Sequence, residues 1–257
     1  MDRITSKTNQ IIKDTGKLIA SSSARRSHGL FVLEGARLCF DVLNSVYEVK
    51  TLLITERVTD KYPDEVAALC AKSERAYVIT EEIANKLTDT DTPQGIFAVC
   101  KMAESTAELG NRVIALDNVQ NPSNVGAVIR TAEALGIDSV LIGGGCDIYN
   151  PKVLRASMGS VLRMSINMCS NLADTLSSLK PDYQICATVP KSDAKAITDV
   201  DFTKPTVCVI GNEANGVSAE VLDASDMLIT IPMKGKAESL NASVAASVTM
   251  WEMMRDD

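Results

Sequence analysis

Apolar positions change rhythm along the chain, and each rhythm predicts its own elements. Ile4, Ile11, Ile12, Leu18 and Ile19 recur at roughly helical spacing until Ser21-Ser-Ser-Ala-Arg-Arg-Ser-His-Gly29 interrupts them. Short apolar runs follow. Phe31 to Leu33, Lys50 to Thr55, Ala76 to Thr80 and Gln94 to Cys100 are predicted strands, with helices over 36–46, 63–73 and 81–87 between them. The pattern predicts a small alternating α/β domain over residues 1–102, and the weakly patterned stretch 103–110 is the expected linker.

From Asn111 the alternation becomes regular. Strands are predicted at 112–118, 138–142, 184–189, 206–211 and 226–231, with helices at 123–135, 150–158, 171–180 and 217–223 and a last one from about 239 to 255. Short apolar strands separated by helices imply a mainly parallel sheet covered on both faces, so 111–257 is expected to be a second α/β domain. In the last helix Leu240, Val244, Val248 and Trp251 form one apolar stripe, either core or a subunit interface, and Ala242, Ala245 and Ala246 admit a close neighbour.

Composition narrows the class. The 257 residues are 46% apolar, sufficient for two ordinary cores. No apolar run approaches the ~20 residues of a membrane span, and the charged start Met1-Asp-Arg-Ile-Thr-Ser-Lys lacks a signal segment, so a cytoplasmic protein is expected with no membrane partner. Seven cysteines lie scattered without a C-x-x-C pair, beside one histidine, His28; free thiols and no metal site are expected. The net charge of −7 does not resemble a nucleic-acid binder, yet residues 1–30 hold six cations against two carboxylates, a local +4 suited either to phosphates or to a solvated helix.

The candidate chemistry is restricted by what is missing. There is no nucleophile elbow for a hydrolase triad and no metal-ligand cluster; Gly211 to Gly216 has the outer glycines of a P-loop but is followed by Val217-Ser218, not Lys-Ser/Thr. Gly143-Gly-Gly145 suits a ligand loop or, better, a plain turn. Three polar clusters remain, each after an apolar strand: Asn121 to Asn124 with Arg130, Gly211 to Gly216 with Glu213, and Lys234 to Asn241. Strand carboxyl ends border the crevice of open α/β sheets, so the three can converge there. The same residues also suit plainer roles, with Asn124 and Ser239 as helix caps, Glu213 as a solvated acid and Arg130 snorkelling over apolar neighbours. An arginine on such a helix should otherwise pair with an anion or line a cleft.

Taken together, Asn121-Pro-Ser-Asn-Val-Gly-Ala-Val-Ile-Arg130, Ile210-Gly-Asn-Glu-Ala-Asn-Gly-Val-Ser218 and Ile231-Pro-Met-Lys-Gly-Lys-Ala-Glu-Ser-Leu-Asn-Ala-Ser243 resemble the three ordered motifs of the SpoU family of RNA 2′-O-ribose methyltransferases, in the SPOUT superfamily. Arg25-Arg26, Phe31-Val-Leu-Glu-Gly35 and Thr92-Pro-Gln-Gly95 resemble that family's small substrate-binding domain, similar to a ribosomal protein fold. Ala214-Asn215 departs mildly, since a glycine is common there. The resemblance implies a trefoil knot at the C-terminal end of the second domain, S-adenosylmethionine as cofactor, an RNA substrate, and a homodimer through the C-terminal domain.

By the same resemblance, Asn124, Arg130, Glu213, Ser239 and Asn241 surround the reacting ribose. Thr188, Gly211, Asn212, Gly216, Ile231, Met233, Ser239 and Leu240 hold the cofactor, and Arg25, Arg26, Arg130 and Arg155 face RNA, with a structural role for Arg155, Ser157 and Gly159 left open. Glu213 is expected to hold either Arg130 or neighbouring amides, and Ser239 either to bond a motif side chain or to cap the last helix. Guanidinium stays protonated, with a pKa above ~12, so Arg130 is expected to grip phosphate and stabilise developing alkoxide charge and not to act as a base. Six residues apart, Asn124 and Arg130 stand about 120° from eclipsed on a helix, so the helix alone does not make them neighbours. A separate recognition domain favours ribosomal over transfer RNA. Two other readings stay in view: a doubly wound protein for another nucleotide, and a non-catalytic RNA-binding protein on the same fold.

Overall fold

The structure, a computed structural model, describes residues 1–88, 92–103, 108–190 and 193–255. Of the expected linker, residues 104–107 lie outside the described residues. The chain forms two compact units, Met1–Glu104 with Tyr149–Leu162, and Ser105–Ile148 with Arg163–Asp257.

The first unit begins with a short strand, β1 (Asp2–Ile4), followed by α1 (Gln10–Ala20) and α2 (Ser22–His28). The run from Ser21 to Gly29 is therefore a helix and not a plain interruption. Ser21 caps it through Oγ and Gly29 ends it in the left-handed region at φ 62°, the usual stop signal. Then come β2 (Leu30–Glu34), α3 (Ala36–Asp41), β3 (Val49–Ile54), α4 (Glu56–Lys61), α5 (Pro63–Lys72), β4 (Ser73–Ile79), α6 (Glu81–Leu87) and β5 (Ile96–Lys101). The sheet runs β1-β4-β3-β5-β2, with β5 antiparallel to both neighbours. Ile12, Leu18, Val32, Leu53, Ile83 and Phe97 pack into one core, so the apolar stripe of α1 is satisfied against the sheet.

The second unit opens with β6 (Arg112–Asp117), α7 (Pro122–Leu135) and β7 (Ser139–Gly143). The chain then returns to the first unit as α8 (Pro151–Ala156), expected at sequence level in the second domain. There Tyr149 stacks on Phe31 with ring centroids 4.4 Å apart, and Arg155 pairs with Glu34 at 3.7 Å. The second unit resumes with β8 (Ser165–Met168), α9 (Leu172–Leu179), β9 (Gln184–Thr188), β10 (Lys195–Ala196), β11 (Thr206–Ile210), α10 (Ala219–Asp223), β12 (Met227–Thr230) and α11 (Ala242–Met253). Its sheet runs β10-β12-β9-β11-β6-β7-β8, parallel throughout.

Central β11 is buried over its whole length, as a strand covered on both faces requires. One face packs on α9 and α10 through Leu172, Leu176 and Val221, while α11 lies against α7 and the middle strands. The buried side of α11 is Ala242, Ala246, Thr249, Met250 and Met253. The predicted stripe is its other side, with Val244 47%, Val248 37% and Trp251 65% exposed, so it is not core in this chain.

The Gly143-Gly-Gly145 loop is a packing device. A Cβ on Gly145, at φ 79°, would stand 2.3 Å from the Val119 carbonyl oxygen, and Cys146 N–H donates to that same oxygen at 3.0 Å. Only glycine permits the loops after β6 and β7 to lie so close. Gly145→Ala should therefore lower stability by at least ~2 kcal/mol, through left-handed strain plus overlap, measurable as an earlier thermal transition.

Candidate active site

The loops that follow β6, β11 and β12 meet at the carboxyl ends of the parallel strands. Glu213, from the loop after β11, accepts hydrogen bonds from the backbone N–H of Gln120 at 3.1 Å and Asn121 at 3.0 Å, and from Asn124 Nδ2 at 2.9 Å. Asn241 Nδ2, from the segment after β12, donates to Asn124 Oδ1 at 3.1 Å. The orientation of the Asn124 amide follows from chemistry: an ionised carboxylate only accepts, so the amide nitrogen must face Glu213 and the oxygen must face Asn241. Three distant stretches are thus joined by one hydrogen-bonded chain.

Desolvation pushes the Glu213 carboxyl up, but the hydrogen bonds from Asn124 and from the backbone amides of Gln120, Glu213 and Asn121 outweigh it and hold the group below the ordinary value of 4.5. Asn121 caps α7 through Ser123 N–H, and Asn241 caps α11 through the N–H of Ser243 and Val244. The capping roles open to Asn124 and Ser239 at sequence level are therefore held by Asn121 and Asn241. Asn124 is buried in the first turn of α7, and Ser239 is exposed on the rim of the cavity.

Arg130 is exposed, six residues along α7 from Asn124, and among the described residues it has no ion pair or hydrogen bond. Of the two roles expected for Glu213, holding Arg130 or neighbouring amides, the carboxylate takes the second. Arg25 requires a correction. It is 2% exposed, and its Nη1 donates to the carbonyls of Leu18 at 2.6 Å and Ile19 at 3.0 Å, so it closes the C-terminal end of α1 instead of facing RNA. Arg26 beside it is exposed. Arg155 belongs to the first unit and pairs with Glu34 at 3.7 Å.

A cavity of about 300 Å³ lies where β9, β11 and β12 end. Thr188, Gly211, Asn212, Gly216, Ile231, Met233, Ser239 and Leu240 all line it. The sequence reading missed Val189, Pro190, Ala242 and Ala245, small or apolar residues that also line it; their signal was position just after β9 and on the first turns of α11. It also missed Asp117, buried at the end of β6, whose Oδ2 accepts from Ser218 N–H at 2.7 Å. An acid ending an apolar strand was the available sign. Gly211 is required by crowding, since a Cβ there would stand 2.2 Å from Gly216 C and Val217 N. Among the described lining residues Glu213 alone carries charge. Among the described residues no group of three or more metal-ligating side chains occurs, and no helix is long and apolar enough to cross a membrane.

Comparison with known proteins shows the family. Residues 111–251 match the model of the SpoU rRNA Methylase family, and residues 9–98 match an MRM3-like substrate binding domain. The chain belongs to the SpoU rRNA methylase family. It is 32% identical to the 23S rRNA (guanosine(2553)-2'-O)-methyltransferase RlmP of Bacillus subtilis over 98% of this chain and 99% of that relative. It superposes on an AdoMet-bound rRNA methyltransferase from Sinorhizobium meliloti with a TM-score of 0.88 and 28% identity, covering 99% of this chain and 98% of the other. A solved RNA 2'-O ribose methyltransferase gives a TM-score of 0.80 at 30% identity, with 98% of each chain covered.

Replacing Glu213 by Gln should destabilise the second unit by about 1–2 kcal/mol, the worth of charge-assisted hydrogen bonds reduced for exposure. Because the folded-state pKa is lowered, this contribution is complete above the unfolded value of about 4.5 and is lost as pH falls through the folded value. The unfolding free-energy gap between wild type and variant should narrow on acidification, as measured by denaturant titration.

Proposed function

We propose that the protein is an S-adenosylmethionine-dependent methyltransferase acting on a ribose 2′-hydroxyl in structured RNA, with ribosomal RNA as the favoured substrate. One observation carries this reading: the Asn241–Asn124–Glu213 chain joins three loops beside a cavity that, among the described residues, is lined by one carboxylate and no cation. A phosphate-bearing nucleotide would find no positive partner among those residues, which disfavours the doubly wound nucleotide-binding alternative. A purine and a sulfonium suit the same walls, apolar at Val189, Ile231, Met233 and Leu240 and edged by loop backbone. When bound, S-adenosylmethionine supplies a methyl group activated by positive sulfur.

The chain's own residues supply binding and orientation. Gly211, Ile231 and Leu240 border the cofactor, while Asn124 and Asn241 set the ribose-facing loops and Glu213 holds the backbone of Gln120 and Asn121. Ser239, on the rim, is placed to meet either ligand. Arg130, exposed and without a partner among the described residues, is available to a target phosphate, and its permanent charge suits a developing alkoxide. Lys234 and Lys236, exposed on the loop before α11, add positive charge beside the mouth. Arg26 remains a candidate RNA contact in the first unit, which matches a substrate-binding model.

The exposed Val244, Val248 and Trp251 side of α11 supports a homodimer through the C-terminal domain. A C-terminal knot belongs to the same reading, and action on ribosomal RNA implies a cytoplasmic setting. Residues 1–102 and 111–257 are proposed as the recognition and methyltransferase domains, with 149–162 carried by the former.

Calorimetry should detect S-adenosylmethionine binding to wild type and its loss in Gly211→Ala. Mass spectrometry of ribosomal RNA incubated with the enzyme should show a methyl group on ribose. Methylation of transfer RNA alone would move the substrate class, and RNA binding without turnover would favour the non-catalytic alternative. Arg130→Lys, which keeps the positive charge but loses the planar fork of donors, should lower turnover by about 10²-fold, the usual effect of removing one preorganised donor from an active site; near-normal turnover would show that guanidinium geometry is not needed.

A further inference from the structure

We infer that Asn118 is a positioning residue for the cofactor loop, because its left-handed backbone aims its carbonyl at Asn212 and fixes the Gly211–Gly216 segment. The inference rests on the reading of the cavity as the cofactor site. Asn118 follows β6 and has φ 53°, a conformation shared by one other non-glycine position among the described residues, Met158. Asparagine tolerates this region better than most residues. Its N–H donates to the Gly143 carbonyl at 2.9 Å, which anchors the turn to β7. Its own carbonyl accepts from Asn212 Nδ2 at 2.8 Å.

Asn212 in turn closes the loop on itself. Its Oδ1 accepts from the N–H of Ala214 at 2.9 Å and Asn215 at 3.1 Å, and its main chain exchanges two hydrogen bonds with Gly216, each 2.9 Å. The preceding residue, Asp117, takes Ser218 N–H at 2.7 Å. The pair Asp117-Asn118 thus grips both ends of the loop that carries Gly211, Asn212, Glu213 and Gly216 to the cavity. The Asn118 side chain is not what binds; the turn of its backbone is.

The two roles separate by substitution. Asn118→Gly keeps the left-handed turn, whereas Asn118→Val resists it through its branched Cβ. S-adenosylmethionine affinity by calorimetry and amide hydrogen exchange at Ala214, Asn215 and Gly216 would be measured on the full chain. Asn118→Gly should stay within about twofold of wild type in both, and Asn118→Val should bind about tenfold more weakly and exchange at least about tenfold faster at those amides. Should Asn118→Val not fold, Asn212→Asp removes the single donor to Asn118 and keeps the Oδ1 acceptor, and it should show the same losses. Wild-type affinity and exchange in the Val or Asp variant would overturn the inference, as would losses in Asn118→Gly equal to those in Asn118→Val. If wild type itself fails to bind S-adenosylmethionine, the functional reading falls while the exchange comparison still decides the role of Asn118.

Discussion

The acceptor capacity of one carboxylate holds the candidate site together. Glu213 satisfies two backbone amides at the entrance to α7 and the amide of Asn124, and Asn124 passes the connection to Asn241 at the entrance to α11. Backbone N–H groups in the turn before a helix need an acceptor when they are drawn away from water, and here that requirement helps to tie three loops together. Each atom in it has a fixed role, carboxylate and amide oxygens accepting and amide nitrogens donating, so the chain has one direction. The site is polar where it is tied together and apolar where it is hollow.

The parallel sheet explains why this meeting can occur. Strands β6, β11, β9 and β12 all end on one side, so the loops after them share one edge of the unit. Charge is distributed accordingly. The cavity has no cation among its described lining residues, while Arg130, Lys234 and Lys236 are exposed outside it. A molecule of net charge −7 can in this way present positive groups to a polyanion without placing them against a positively charged donor.

The central framework was legible in the chain because buried parallel strands are written as unbroken apolar runs, as Val207 to Ile210 shows. The three-residue β1 and two-residue β10 were not, since so short a segment has no period. The motif residues were legible as a set, but their partners were not. Ser239 and Asn241 have equivalent capping chemistry two positions apart, and the start of α11 decides between them. Arg25 and Arg26 are the same residue type side by side. One closes α1 from inside and the other faces solvent, a difference fixed by helix phase and invisible to a count of charges.

The membership of Tyr149–Leu162 in the first unit has a topological consequence. That unit is discontinuous: the strand bearing Phe31 finds its aromatic cover on a segment about a hundred residues downstream, and Glu34 finds Arg155 there. A gene fragment ending at the apparent boundary would encode a body in which Phe31 keeps Tyr47 but lacks Tyr149, and Glu34 keeps Thr88 but lacks Arg155. A single cut in the chain therefore cannot separate the two bodies and leave the first with all of its own residues, because 149–162 lie within the span of the second.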